Sequence, residues 1–261
     1  MNDIVPSFID THAHLHAEEF DTDREQVLQR ARAAGIEQII LIGSSSGWDS
    51  AQKALELAER ETWLHAAVGI HPNSADTPLD IERLYNLSKH PKVIAIGESG
   101  LDTFRSPHLL EQQSIWLRTH IEVARQRNLP IIIHSRDAGS ECLKILIDNK
   151  AEDVGGVFHC FAESAEFAEM LRDINFLVSF PGILTFKAAE NVRETAKAIP
   201  IEQILLETDA PYLAPVPYRG KRCESAHMIE TARVLAQIKG ISLQELSVVT
   251  TQNAKKLFRI P

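Results

Sequence analysis

Pro130-Ile131-Ile132-Ile133-His134-Ser135-Arg136-Asp137 is the stretch from which the fold is read. Three successive isoleucines leave no polar side chain to meet water at alternate positions, and β-branched residues suit extended backbone. A strand composed this way has both faces covered, as in a parallel sheet flanked by helices. The run then turns abruptly into an imidazole, a hydroxyl, a guanidinium and a carboxylate. A buried strand that ends in reactive side chains is thus the local pattern.

The pattern recurs along the chain. Residues 7–12, 38–43, 65–69, 93–97, 156–159, 176–180 and 204–207 read as further short apolar strands beside 130–134. Amphipathic segments separate them. In 23–34, Val27, Leu28, Ala31 and Ala34 form one stripe that Gly35 stops, and 50–60 places Ala51, Ala54, Leu55 and Ala58 similarly. Thr77-Pro78-Leu79-Asp80 reads as a helix start, 110–127 as the longest helix, and 224–239, 242–249 and 251–257 as the closing helices. Eight strands alternating with helices, with no linker-like stretch, predict one α/β domain over 1–261, a (β/α)8 TIM barrel. An open doubly wound sheet would bind ligand at one switch point, whereas here polar residues end most strands.

Composition agrees. At 261 residues the chain matches the about 250 that such a barrel needs. With 44% hydrophobic and 24% charged residues it can bury a core, which excludes a disordered chain. The formal charge of −9 argues against a long duplex footprint, which needs a basic surface. A small basic mouth is compatible with it where metal ions neutralise phosphate locally. Cys142, Cys160 and Cys223 form no CxxC pair, so reduced thiols and a cytoplasmic location are expected. The N-terminal segment shows neither a basic leader nor an apolar run of the about 20 residues a membrane helix requires. A monomer with no membrane and no obligate protein partner is the expectation.

The strand ends carry the chemistry. The first ends in Asp10-Thr11-His12-Ala13-His14, the third in Gly69-Ile70-His71-Pro72, and the fourth in Gly97-Glu98-Ser99-Gly100-Leu101-Asp102. The fifth ends at His134, the sixth in His159-Cys160-Phe161, and the eighth in Glu207-Thr208-Asp209-Ala210-Pro211. In a barrel these ends share one rim. His12, His14, Glu98, His134, His159 and Asp209 would then hold two divalent ions. His12 and His14, two apart, point to one side. Glu98 can bridge and Asp209 can complete the first site while holding water, so these two carry the catalytic expectation. Ions about 3.5–4 Å apart suit the activation of water for in-line displacement. No Gly-x-Ser-x-Gly elbow or Cys/His pair competes with that hydrolytic reading. Imidazole-rich sites suit Zn²⁺ or Mn²⁺ and oxygen-rich ones Mg²⁺, so the ion stays open. Arg136, Arg219, Lys221 and Arg222 are phosphate-binding candidates, or else a solvated face. His71 reads as functional or as bracing the Pro72 loop. Asp10 and Glu207 read either as orienting ligands or as structural.

These blocks together resemble the TatD family of metal-dependent hydrolases, and the likeness spans nearly the whole chain. It adds Tyr212 and Leu213 after the Asp209 block and the run Arg219-Gly220-Lys221-Arg222. The resemblance implies a TIM barrel of the amidohydrolase type, the same six metal ligands, and His71 near the scissile group. It implies Mg²⁺-dependent deoxyribonuclease activity, often 3′→5′ exonucleolytic, on DNA held transiently at the barrel mouth. D-aminoacyl-tRNA deacylation is also associated with the family. His16 stands where the family commonly has aspartate, Thr103 and Phe104 where a tyrosine leads, and Cys223-Glu224-Ser225 where Asn-Glu-Pro is usual. Those departures spare every ligand and bear on substrate grip. The competing acyl hydrolases, lactonases or amidohydrolases among them, often bridge their metals with a fourth-strand lysine; Glu98 stands here. A scaffold that only binds nucleic acid or protein is the non-enzymatic alternative.

Overall fold

Residues 6–261 are described in a computed structural model. The strands are β1 (Phe8–Ala13), β2 (Ile36–Gly43), β3 (Leu64–Val68), β4 (Val93–Asp102), β5 (Ile131–Arg136), β6 (Gly156–Phe158), β7 (Phe176–Phe180) and β8 (Ile204–Leu206). They form an eight-stranded sheet in chain order, and Ala13 and Ala210, just beyond β8, form a parallel bridge. The fold is a (β/α)8 barrel. Ile131, Ile132 and Ile133 are fully buried, as a strand covered on both faces requires.

The helices are α1 (Arg24–Ala33), α2 (Trp48–Arg60), α3 (Ile81–Leu87), α4 (Leu110–Arg127), α5 (Gly139–Asp148), α6 (Ala165–Asp173), α7 (Glu190–Ala198), α8 (Met228–Lys239) and α9 (Leu243–Phe258). Two differ from expectation. The Thr77-Pro78 signal does not start α3; Asp80 does, its carboxylate accepting from the Arg83 N–H at 2.8 Å. The Thr77 carbonyl accepts from the Trp116 indole instead. The two closing segments fuse into α9, begun by a reciprocal Ser242–Glu245 capping box. Thr250 interrupts nothing because its hydroxyl bonds back to the Leu246 carbonyl at 2.9 Å.

The chain divides into two compact units, each discontinuous in sequence. One comprises the chain through Ile40, Cys160–Glu169 and Val178–Pro261; the other comprises Leu41–His159 and Met170–Leu177. In the first, α9 is tied to β1 and β8. Thr251 donates to the Ser7 carbonyl at 3.0 Å, and Asn253 to the Ile201 and Ile204 carbonyls, both at 2.9 Å.

In the second unit the decisive element is β4, which runs five residues past its expected end at Gly97. Gly97 pairs with Ile132 and Ser99 with Ile133, so Glu98 is an extra residue, a bulge that takes its side chain out of the ladder's alternation. Glycine is required here. Gly97 has φ +126°, and a Cβ would sit 2.5 Å from the Ile132 carbonyl oxygen; a Cβ on Gly100, at φ +153°, would overlap the His134 carbonyl.

His120 on α4 is buried among the same strands. Its Nδ1–H donates to the Trp116 carbonyl at 2.6 Å and its Nε2 accepts from the Ile70 N–H at 2.9 Å, which fixes a neutral ring. Burial pushes it down to about 4, and His65 shifts the same way. The folded chain therefore binds fewer protons than the unfolded one, whose imidazole titrates near 6.5. The stabilisation is complete above pH 6.5 and lost as pH falls through 4, roughly 3 kcal/mol for His120. Urea unfolding at pH 7.5 and 4.5 should show a steep decline that His120→Gln makes shallower; parallel declines would refute this.

Candidate metal centre

In the first unit, strand alternation places Asp10, His12 and His14 on one side of β1 and its extension. Asp10 is fully buried. Its carboxylate accepts from Thr208 N–H at 3.0 Å, Thr208 hydroxyl at 2.7 Å and His12 N–H at 3.3 Å. Desolvation pushes it up to about 7 against the pull of bonds from Ser225, Thr208 and His12. The Asp209 N–H donates to the His12 carbonyl at 2.8 Å and the His14 N–H to the Ala210 carbonyl at 2.7 Å. Asp209, at φ +57°, then turns its Oδ1 to 3.7 Å from His12 Nε2 and 3.5 Å from His14 Nε2.

Glu207, read either way from sequence, is fully buried. It accepts from the Cys160 N–H at 2.7 Å and the Ser179 hydroxyl at 2.5 Å, and so holds the bend at Cys160, φ +49°. Arg222 is engaged in this unit. Its guanidinium pairs with both Asp23 oxygens at 2.8 and 2.7 Å, donates to the Glu19 carbonyl and lies over Phe20. Bonds from Arg222 and Arg30 hold Asp23 down to about 2, partly offset by burial. Arg219 lies over the Phe186 ring at 3.9 Å, and Lys221 is exposed.

In the second unit the bulge delivers Glu98, 2% exposed, to three imidazoles. Its Oε1 is 2.7 Å from His159 Nε2, 3.0 Å from His134 Nδ1 and 3.5 Å from His71 Nε2, and Ser44 donates to Oε2 at 3.4 Å. These imidazoles differ. His71 Nδ1 accepts from the Asn73 N–H at 3.0 Å, so its proton sits on Nε2 and that atom donates. His134 turns Nδ1 to Glu98 and His159, while Nε2 faces Asp102 Oδ2 at 3.3 Å.

Asp102 closes the fourth strand-end block, and the sequence alone assigns it no role. Its other oxygen accepts from the N–H groups of Phe104 at 3.1 Å and Arg105 at 2.7 Å. Burial would raise it, but the bonds from His134 and those two amides outweigh burial and hold it near 2. His134 is raised in turn: burial lowers it, and the two carboxylates overcome that. A carboxylate behind an imidazole whose other nitrogen faces a donor cluster is how metal-bound histidines are oriented. The available signal was Gly-Leu-Asp closing the strand, concealed because β4 was expected to end at Gly97.

His12, His14 and Asp209 form one group of donor atoms within 4.8 Å of one another, and His71, Glu98 and His134 another. Mixed imidazole and carboxylate donors suit borderline divalent cations, and the buried Glu98 carboxylate offers the negative charge such an ion needs. The residues fit a metal.

A parallel (β/α)8 barrel carrying such donor clusters defines the class, a metal-dependent hydrolase. The chain belongs to the TatD family: the family model described as TatD related DNase matches residues 9–259. YabD of Bacillus subtilis, described as an uncharacterized metal-dependent hydrolase, is 43% identical, covering 96% of this chain and 98% of its own. YcfH of Escherichia coli K12, described likewise, is 37% identical over 97% and 96%. The crystal structure of the TatD homologue YjjV from E. coli superposes with a TM-score of 0.91 at 30% identity, covering 99% and 100% of the two chains.

Proposed function

We propose that the protein is a divalent-metal-dependent phosphodiesterase acting on DNA, with His12, His14, Glu98, His134, His159 and Asp209 as the metal ligands. The observation that carries the reading is the buried Glu98 carboxylate met by several imidazoles, one of them oriented from behind by Asp102. Two ions per chain would satisfy six donors. When bound, they supply positive charge against the charge developing on a phosphoryl group and make water more acidic.

The chain's own groups do the rest. Asp209, 15% exposed, is the carboxylate placed to take a proton from attacking water. His71 carries its proton on Nε2 and serves as donor to the phosphoryl oxygen, which separates it from the ligands. Arg136, Arg219 and Lys221 supply short-range attraction for phosphate in a chain of net charge −9, which favours a chain end over long duplex contact. Arg222, held by Asp23, contributes chiefly by fixing the loop. No disulfide links the three cysteines among the described residues, and no described helix is long and apolar enough to cross a membrane.

The test is a nuclease assay on metal-stripped protein reloaded with Mg²⁺, Mn²⁺ or Zn²⁺. Single- and double-stranded DNA with blocked and unblocked 3′ ends should release mononucleotides from unblocked ends only, and chelation should abolish release. DNA left intact with every ion would overturn the substrate assignment.

A further inference from the structure

Two residues past Asp102, Phe104 stands 62% exposed, more than any other large apolar side chain among the described residues. An aromatic ring left this far in water gains almost nothing from burial, so packing does not account for it. It is nonetheless firmly mounted. Its N–H is held by Asp102, the carboxylate that faces His134, and Thr103 before it donates its N–H to the Arg136 carbonyl at 3.1 Å and its hydroxyl to the Asp137 carbonyl at 2.8 Å.

Arg136 completes the arrangement. It lies opposite Asp102 in the β4–β5 ladder, two residues past His134, and its guanidinium carbon is 4.4 Å from the Phe104 ring centroid. The guanidinium is exposed and meets no carboxylate among the described residues. One side of the ring is thus covered by a planar cation while the rest faces solvent. Two strand residues span about 6.6 Å, a length comparable to one step of an extended nucleotide chain.

We infer that Phe104 and Arg136 form a clamp for the terminal nucleotide of the substrate: the ring stacks on an unpaired base and the guanidinium contacts an adjacent phosphate. Stacking needs an open base face, so the clamp selects single-stranded or frayed ends, and it accepts any base because every base has a π-face. Arginine beside the ring adds charge where phosphate passes and keeps the ring oriented. The inference rests on the phosphodiesterase reading and names how that site would recognise its substrate.

The experiment compares two oligonucleotides that differ only in their 3′ residue, one bearing a base and one abasic, with KM and kcat measured separately. Wild-type protein should favour the base-bearing end through KM. Phe104→Ala should shrink that preference by about 5- to 150-fold, the range that loss of one base–aromatic stack gives, and Phe104→Trp should keep it. A preference identical in wild type and Phe104→Ala overturns the clamp. If wild type cleaves neither substrate, the phosphodiesterase reading falls and a terminal 2-aminopurine judges the clamp alone. Quenching on binding in wild type and Phe104→Trp but not in Phe104→Ala supports it, and equal signals in all three overturn it.

Discussion

Glu98→Ala is expected to lower metal-dependent hydrolysis by about a thousandfold or more, because on the proposed reading it removes a ligand itself, whereas outer groups alone carry about 10–100-fold. The physical reason lies in the convergence on one oxygen. His159, His134 and His71 all lie within 3.5 Å of Glu98 Oε1, so the carboxylate is the negative charge shared by three rings. After its loss Asp102 still faces His134, so the pocket keeps a carboxylate beside that ring and activity should fall much further than stability. Elemental analysis, kcat/KM on DNA and a urea titration measure the three quantities. Glu98→Gln preserves volume and separates charge from packing. Full metal content with full activity in either variant would remove Glu98 from the centre.

Asp102→Asn is the subtler substitution. The asparagine carbonyl still accepts from the Phe104 and Arg105 amides, so the loop keeps its hydrogen bonds. The side-chain NH₂, however, now faces His134 Nε2, where the aspartate had accepted. The ring must then place its proton on Nδ1, the nitrogen that faces Glu98 and His159, and that atom could no longer serve as the ligand proposed for it. Metal affinity should drop by about 10–100-fold with little change in the unfolding midpoint. Wild-type affinity would show that Asp102 only supports the loop, and an equal fall in stability would say the same.

Much of the architecture was legible because parallel strands announce themselves through composition. The Ile131–Ile133 run and the polar residues that follow it placed β5 and its His134 together. What stayed hidden depended on exceptions to regular periodicity. β4 was cut short because Gly97 and Gly100 look like a turn, yet they serve a bulge and a close backbone approach. Asp102 is visible in the block that Gly97 opens, but its place behind His134 and the Phe104 mount two residues on depend on the longer strand. Helix starts erred where two capping signals stood close together, since propensity cannot say whether Thr77 or Asp80 finds the amide. The basic run was read as one group. Which of its members would be engaged by Asp23, 199 positions away from Arg222, is a property of three-dimensional neighbours alone.

The Asp10 carboxylate and its Thr208 partners are separated by 198 positions in the chain. A ribosome delivers the amino end first, so the opening histidine pair emerges long before its companion aspartate exists. Until the segment that carries Thr208 and Asp209 has been made, His12 and His14 lack both the anchor of their strand and the carboxylate beside them. On the proposed reading, a nascent chain cannot bring these donors together until that distant segment has followed.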